Sequence, residues 1–201
     1  MAPEESQIIG ITGGIGSGKS RVCRHLARFC QIPVIDLDEI CRQLLLSGHA
    51  GWQVLRTAID KKFFLPSGDL NRELFREDLF LDKGLRRQVD KVLHPLAQKE
   101  MRHQVGKKQG MVLVEIPLLF EAGWQDMVDF IVVVSADETT RVQRIVLRDQ
   151  VTEEQARLAI RAQLPLEEKA SKAHYVVANS RSWEKTCQQL NRLAEVLGCR
   201  E

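Results

Sequence analysis

No stretch of this chain is apolar for long enough to suggest a membrane span. Its opening residues, Met1 to Gln7, carry acids where a signal peptide would carry a basic and then apolar run. A cytoplasmic protein is the expectation. The charge is nearly balanced, 29 basic against 27 acidic residues for a formal net of +2, so no strong overall field points to nucleic acid or an anionic membrane as main partner. Any cationic site must be local. The five cysteines, Cys23, Cys30, Cys41, Cys187 and Cys199, are odd in number and form neither a C-x-x-C pair nor a metal-ligand spacing with histidine. They read as free or buried thiols in a reducing compartment. Internal repeats and low-complexity tracts are missing as well, and no feature suggests an obligate protein partner. What remains is 201 residues, enough for one ordinary domain, or a core with modest insertions, and for a substantial hydrophobic core without staples.

One segment stands out from this background. In Gly13-Gly14-Ile15-Gly16-Ser17-Gly18-Lys19-Ser20, the first glycine, four residues, then Gly18, Lys19 and Ser20 complete the phosphate-loop pattern. It follows the apolar run Ile8 to Ile11, of the buried parallel-strand type, and precedes Val22, Leu26 and Phe29 at helical spacing. Strand, loop and helix come in the order such a cradle needs. Glycines let successive backbone N–H groups face an anion, and the helix N-terminus adds partial positive charge. Lys19 is placed to reach the β and γ phosphates of a nucleotide such as ATP, and Ser20 to offer its hydroxyl to Mg²⁺. The pattern alone does not separate kinases from GTPases or motors.

Ile32 to Ile35 predicts a second strand, followed by Asp36-Leu37-Asp38 and a helical pattern through Ile40, Leu44 and Leu45. From there to about Lys108 no strong strand is readable. Apolar residues recur helically at Trp52, Leu55, Ile59 and at Leu85, Val89, Val92, with a turn at Pro66 to Asp69 and a break at His94-Pro95. Met111 to Val114, Phe130 to Val134 and Tyr175 to Val177 predict three further strands. Five strands with helical crossovers make an α/β fold with a doubly wound parallel sheet. Between the last two strands, Ser135-x-x-Glu138 and Thr152-x-x-Gln155 predict two helix starts, with a turn near Asp149 to Val151. A closing helix is expected over Trp183 to Leu197.

Asp36 and Asp38 fall where the second strand ends, on one face of an extended segment and near the carboxyl edge at which such sheets bind ligands. Asp38 is the candidate base for an acceptor hydroxyl; the same pair also fits a turn residue and a helix N-cap. Arg141, Arg144 and Arg148 recur at three and four residues, and Arg157 and Arg161 repeat the spacing. Such forks can grip phosphates, or form a solvated face against Asp149, Glu153 and Glu154. Glu115 ends the third strand, where it suits a metal-bound water, the acceptor, or plain solvent. His94 fits an anion contact or a structural role.

Taken together the motifs resemble the dephospho-coenzyme A kinase family, over nearly the whole chain. Ile11 to Ser20 looks like its phosphate loop and Asp36-Leu37-Asp38 like its D-x-D element. Gly68 to Arg72 with Leu74, His94-Pro95, Pro117-Leu118-Leu119-Phe120-Glu121, and Gln163-x-x-x-x-Glu168-Lys169 are similar to its other signatures. The resemblance implies a P-loop NTPase-type core (1–37, 108–135 and 171–201), a helical coenzyme A domain (38–107) and an α-helical lid (136–170). It implies transfer of the ATP γ-phosphate to the ribose 3′-hydroxyl of dephospho-coenzyme A, the last step of coenzyme A synthesis. Asp38 matches the base, with Lys19, Arg144 and Arg148 as catalytic cations. Gly13 to Ser20, Arg21 and Asn179 fall on the nucleotide, Asn179 at the adenine pocket. Asp36, Asp38, Arg72, His94, Glu115, Pro117 and Leu118 fall on the acceptor. Three residues depart from the pattern: Arg21 where Thr is common, Leu37 for Ala, and Glu115 for Asp. A nucleoside monophosphate kinase shares the loop and lid. A nucleotide-dependent switch is the rival from another class, although no N-K-x-D element is present.

Overall fold

The computed structural model describes residues 6–199, so the acidic start of the chain read above lies outside it apart from Ser6 and Gln7. It divides into two compact units, Met1–Asp36 with Val105–Glu201, and Leu37–Gln104.

The first unit is a five-stranded parallel sheet in the order β2-β3-β1-β4-β5, with β1 Gln7–Gly13, β2 Val34–Asp36, β3 Met111–Glu115, β4 Phe130–Ser135 and β5 Tyr175–Ala178. The three middle strands are buried along most of their length, which is why they read as continuous apolar runs and not as alternating ones. Ile9, Ile11, Leu113, Val132, Val134 and Val177 pack against Val22 and Leu26 of α1 (Lys19–Cys30) and Leu190 and Leu193 of α9 (Trp183–Val196). β2 is shorter than its sequence predicts. Ile32 closes the end of α1 instead, donating its N–H to Ala27 O at 3.1 Å after Gln31 turns left-handed, and Pro33 has no N–H for the ladder.

Between β4 and β5 lie α6 (Glu138–Asp149), α7 (Glu153–Arg161) and the short α8 (Leu166–Ser171). Thr152 and Gln155 form both bonds of the expected capping box at α7. At α6 the predicted Ser135 start is corrected. Ser135 stays in β4, and Asp137 caps the helix by accepting the Thr140 N–H at 2.7 Å.

The second unit is helical: α2 (Leu37–Leu44), α3 (Ala50–Ala58), a 3₁₀ turn at Lys61–Phe63, α4 (Arg72–Leu81) and α5 (Lys83–Val105), which runs past the unit boundary. Its core gathers Leu55, Ile59, Phe63, Leu70, Phe75, Val89 and Leu93. The expected break at His94-Pro95 does not occur, since α5 continues through Pro95. The ring removes one N–H, but the turns on both sides bury Leu93, Ala97 and Met101, and that packing carries the helix across the defect. The reading of five free thiols is also corrected: Cys30 and Cys199 form a disulfide with their Cα atoms 5.3 Å apart, leaving Cys23, Cys41 and Cys187 as thiols. Among the described residues no helix is long and apolar enough to cross a membrane.

Candidate active site

The loop between β1 and α1 is fixed by its neighbours. Gly18 is the N-cap of α1 at φ 89°, a conformation that favours glycine, and no side chain caps the helix there. The first turn of α1 therefore presents its N–H end to the loop, the arrangement that binds anions. Lys19 folds back so that Nζ lies 3.4 Å from Gly14 O, and Ser17 N–H donates to the same carbonyl at 3.1 Å. The Ile15 side chain packs on the α6–α7 cluster of Val142, Ile145, Ala156 and Ile160. The Ile15 N–H donates to Gln163 Oε1 at 2.8 Å.

Ser20 sends its hydroxyl to Glu115 Oε1 at 2.7 Å. Glu115 is buried at the end of β3, and parallel pairing sets Asp36 beside it in register. Burial first, then the charges of Glu115 and Asp36, push the Cys23 thiol from 9.0 up to about 12. Hydroxyl and carboxylate oxygens suit a hard divalent cation. Among the described residues no three His, Cys, Asp or Glu side chains cluster as a metal cage. The Ser20 hydroxyl and the Glu115 carboxylate are oxygen donors of the kind that would fit such an ion.

Arg144 is tied to the loop: Nη1 reaches Gly16 O at 3.3 Å and Ser17 O at 3.1 Å, while Nη2 donates to Asn179 O at 2.8 Å. Asn179 is buried, donates from Nδ2 to Ser17 O at 2.7 Å and accepts the Thr186 hydroxyl at 3.1 Å. Arg148 is exposed and makes a two-pronged pair with its neighbour Asp149, at 2.8 and 2.7 Å, which raises its pKa. Arg21 stacks its guanidinium 3.8 Å above the Trp183 ring. The Pro117 carbonyl accepts the Thr12 hydroxyl at 3.3 Å, and Leu118 is exposed next to it.

Two contacts were not legible as such from spacing. Gln163 holds the loop, and Lys169, fully buried, lies 2.5 Å from Glu121, which also accepts the Leu164 N–H at 3.2 Å. The sequence signals for them were the family signatures, Gln163 to Lys169 and, for Glu121, Pro117 to Glu121.

Asp38 lies in the first turn of α2, and Arg72 opens α4 behind Asn71, whose side chain accepts the Leu74 N–H at 3.3 Å. His94, in α5, has Nε2 3.5 Å from Asp90 Oδ1. The second unit also carries a groove of about 860 Å³ lined by Arg72, Glu73, Arg76, Glu77, Leu79, Leu81 and Arg86.

A family profile for Dephospho-CoA kinase matches residues 7–185. The chain belongs to the dephospho-CoA kinase family. It is 35% identical to the Dephospho-CoA kinase of Arabidopsis thaliana over 93% of this chain and 82% of that protein. It is also 35% identical to that of Bacillus cereus, over 91% of this chain and 93% of that one. A crystal structure of a Thermus thermophilus protein superposes with a TM-score of 0.82 at 31% identity, covering 96% of this chain and 99% of the other. The dephospho-CoA kinase from Campylobacter jejuni shares the fold at a TM-score of 0.65 and 22% identity, over 94% and 95% of the two chains. Kinases of this family and fold use ATP.

Proposed function

We propose that this chain transfers the γ-phosphoryl group of ATP to the ribose 3′-hydroxyl of dephospho-coenzyme A, giving coenzyme A and ADP. The observation that carries this reading is the phosphate loop with Ser20 hydrogen-bonded to Glu115, in a chain matched by the family over residues 7–185. Lys19 and the loop N–H groups hold the phosphates. Ser20, hydrogen-bonded to Glu115, would hold Mg²⁺, which when bound would offset charge on the phosphate oxygens, and Asp36, in register with Glu115, contacts the acceptor. Asp38 orients the hydroxyl and takes its proton. Arg144 and Arg148 steady the transferring group, Arg148 by leaving Asp149 and Arg144 by exchanging backbone carbonyls for phosphate oxygens.

Residues 38–107 serve as the acceptor domain and 136–170 as the lid. The groove on α4 and α5 supports the acceptor assignment, because Arg72, Arg76 and Arg86 beside Leu79 and Leu81 offer cations for phosphates and apolar surface for a long arm. His94, Pro117 and Leu118 complete the acceptor contacts, and Asn179, behind the loop at Ser17, borders the adenine. A cytoplasmic location goes with this chemistry, although the Cys30–Cys199 bond removes the argument from free thiols.

Mass spectrometry of dephospho-coenzyme A incubated with Mg-ATP and the protein tests the reading. One added phosphate supports it. An unmodified acceptor, or preferential phosphorylation of a nucleoside monophosphate in the same panel, overturns it.

A further inference from the structure

α6 brings Arg141, the first of the three helix-spaced arginines, against the phosphate loop itself. The residue is only 7% exposed, and its Nε is enclosed without a hydrogen-bond partner among the described residues. Its terminal nitrogen Nη1 lies so close to Gly14 that a side chain there would have to displace it. At Gly16 the Arg141 carbonyl oxygen and Cα stand 2.8 and 3.1 Å from the point where a Cβ would begin. The loop thus packs directly on this residue, on its backbone at Gly16 and on its guanidinium at Gly14. Lys19 Nζ reaches the Gly14 carbonyl, 3.4 Å away, so two cations converge on one residue.

Several features of this placement are electrostatically unfavourable in the protein alone. Arg141 lies in the first turn of α6, at the positive end of the helix dipole. Burial draws its pKa below the ordinary arginine range, against the pull of Glu138, Glu167 and Asp137. Two of those acids are engaged elsewhere: Glu138 holds Arg157 at 2.6 Å, and Asp137 caps α6. With Glu167 the remaining acid acting on it, a buried cation whose Nε lacks a partner, beside an anion cradle, is stabilised by a bound anion.

We propose that Arg141 is a phosphate-binding residue of the nucleotide site, its guanidinium contacting β- or γ-phosphate oxygens at the Gly14 end of the loop. Lys19 fixes which phosphates these are, since the loop lysine reaches the β and γ groups and here shares Gly14 with Arg141. The other two arginines are committed differently, Arg144 to the carbonyls of Gly16, Ser17 and Asn179 and Arg148 to Asp149. The inference rests on the kinase reading and is independent of the acceptor.

Calorimetric titration of wild type, Arg141→Gln and Arg141→Lys with Mg-ATP, ADP and AMP, together with melting curves without nucleotide, tests it. Arg141→Gln should bind ATP and ADP about 10- to 100-fold more weakly, the loss expected of a charge-assisted contact. AMP affinity should change little, and the melting temperature without nucleotide should hold or rise. Arg141→Lys should recover only part of the loss, because lysine lacks the planar fork. Unchanged ATP affinity in Arg141→Gln overturns the proposal. So does an equal loss for all three nucleotides with a lowered melting temperature, the mark of a packing role. A wild type that binds no ATP sinks both this inference and the kinase reading. A wild type that binds ATP but leaves dephospho-coenzyme A unmodified sinks only the acceptor, and the comparison of affinities still decides Arg141.

Discussion

In the proposed site Ser20 and Glu115 share one bond of 2.7 Å: the carboxylate holds the hydroxyl proton, which would leave the oxygen lone pairs for Mg²⁺. Glu115→Gln preserves the size and still accepts that hydrogen bond, but removes the charge. The Mg²⁺ concentration for half-maximal activity should therefore rise, by about tenfold or more, with stability little altered. An unchanged Mg²⁺ dependence would place Glu115 outside the metal site. Asp38→Asn should lower turnover by about 10² to 10⁴ while leaving ATP affinity intact, the usual share of a general base; near-normal turnover with dephospho-coenzyme A removes it from that role. Cys23 makes a pH prediction. Its folded pKa of about 12 lies above the ordinary 9.0, so the folded state keeps a proton that the unfolded chain releases. The associated stability is complete below about pH 9 and is lost as pH rises toward 12. Cys23→Ala should flatten that part of the stability curve in urea melts, and identical alkaline slopes for the two proteins would refute the assignment.

The capping box of α7 shows at the scale of one element what local sequence can carry. Thr152 and Gln155 are three residues apart, both bonds close within a single turn, and the structure contains both. Thr152→Ala should cost about 1 kcal/mol in chemical denaturation, and Thr152→Ser much less. Equal losses for the two would mean that the hydroxyl is not the stabilising group. The same locality explains which contacts could not be read. Gln163 meets Ile15 across 148 positions and Asn179 meets Ser17 across 162, so no window of the chain contains either pair. Pro95 misled for a related reason: its local cost is visible in the sequence, whereas the burial of Leu93, Ala97 and Met101 that outweighs it is not. The strands were legible because buried parallel strands require runs such as Phe130 to Val134. β2 lost its first two predicted residues to the end of α1, a contest between neighbours that an apolar run does not record.

For the molecule as a whole, the disulfide is the feature that composition concealed, since five scattered cysteines carry no spacing signal. Cys30 ends α1 and Cys199 follows α9, two helices that pack on the same sheet core, so the fold itself brings the sulfurs together across 169 positions. Closing so long a loop restricts the unfolded chain strongly, and the chain-entropy account assigns such a link about 5 kcal/mol. Under denaturing, non-reducing conditions three thiols should titrate, belonging to Cys23, Cys41 and Cys187, with two more appearing after reduction. Cys30→Ser should lower the melting temperature of the oxidised protein, and dithiothreitol should bring wild type down to the same value while leaving the variant unmoved. Five titratable thiols before reduction, or a reductant effect of equal size in both proteins, would mean that packing of α1 and α9 on the sheet holds this end of the fold without a covalent link.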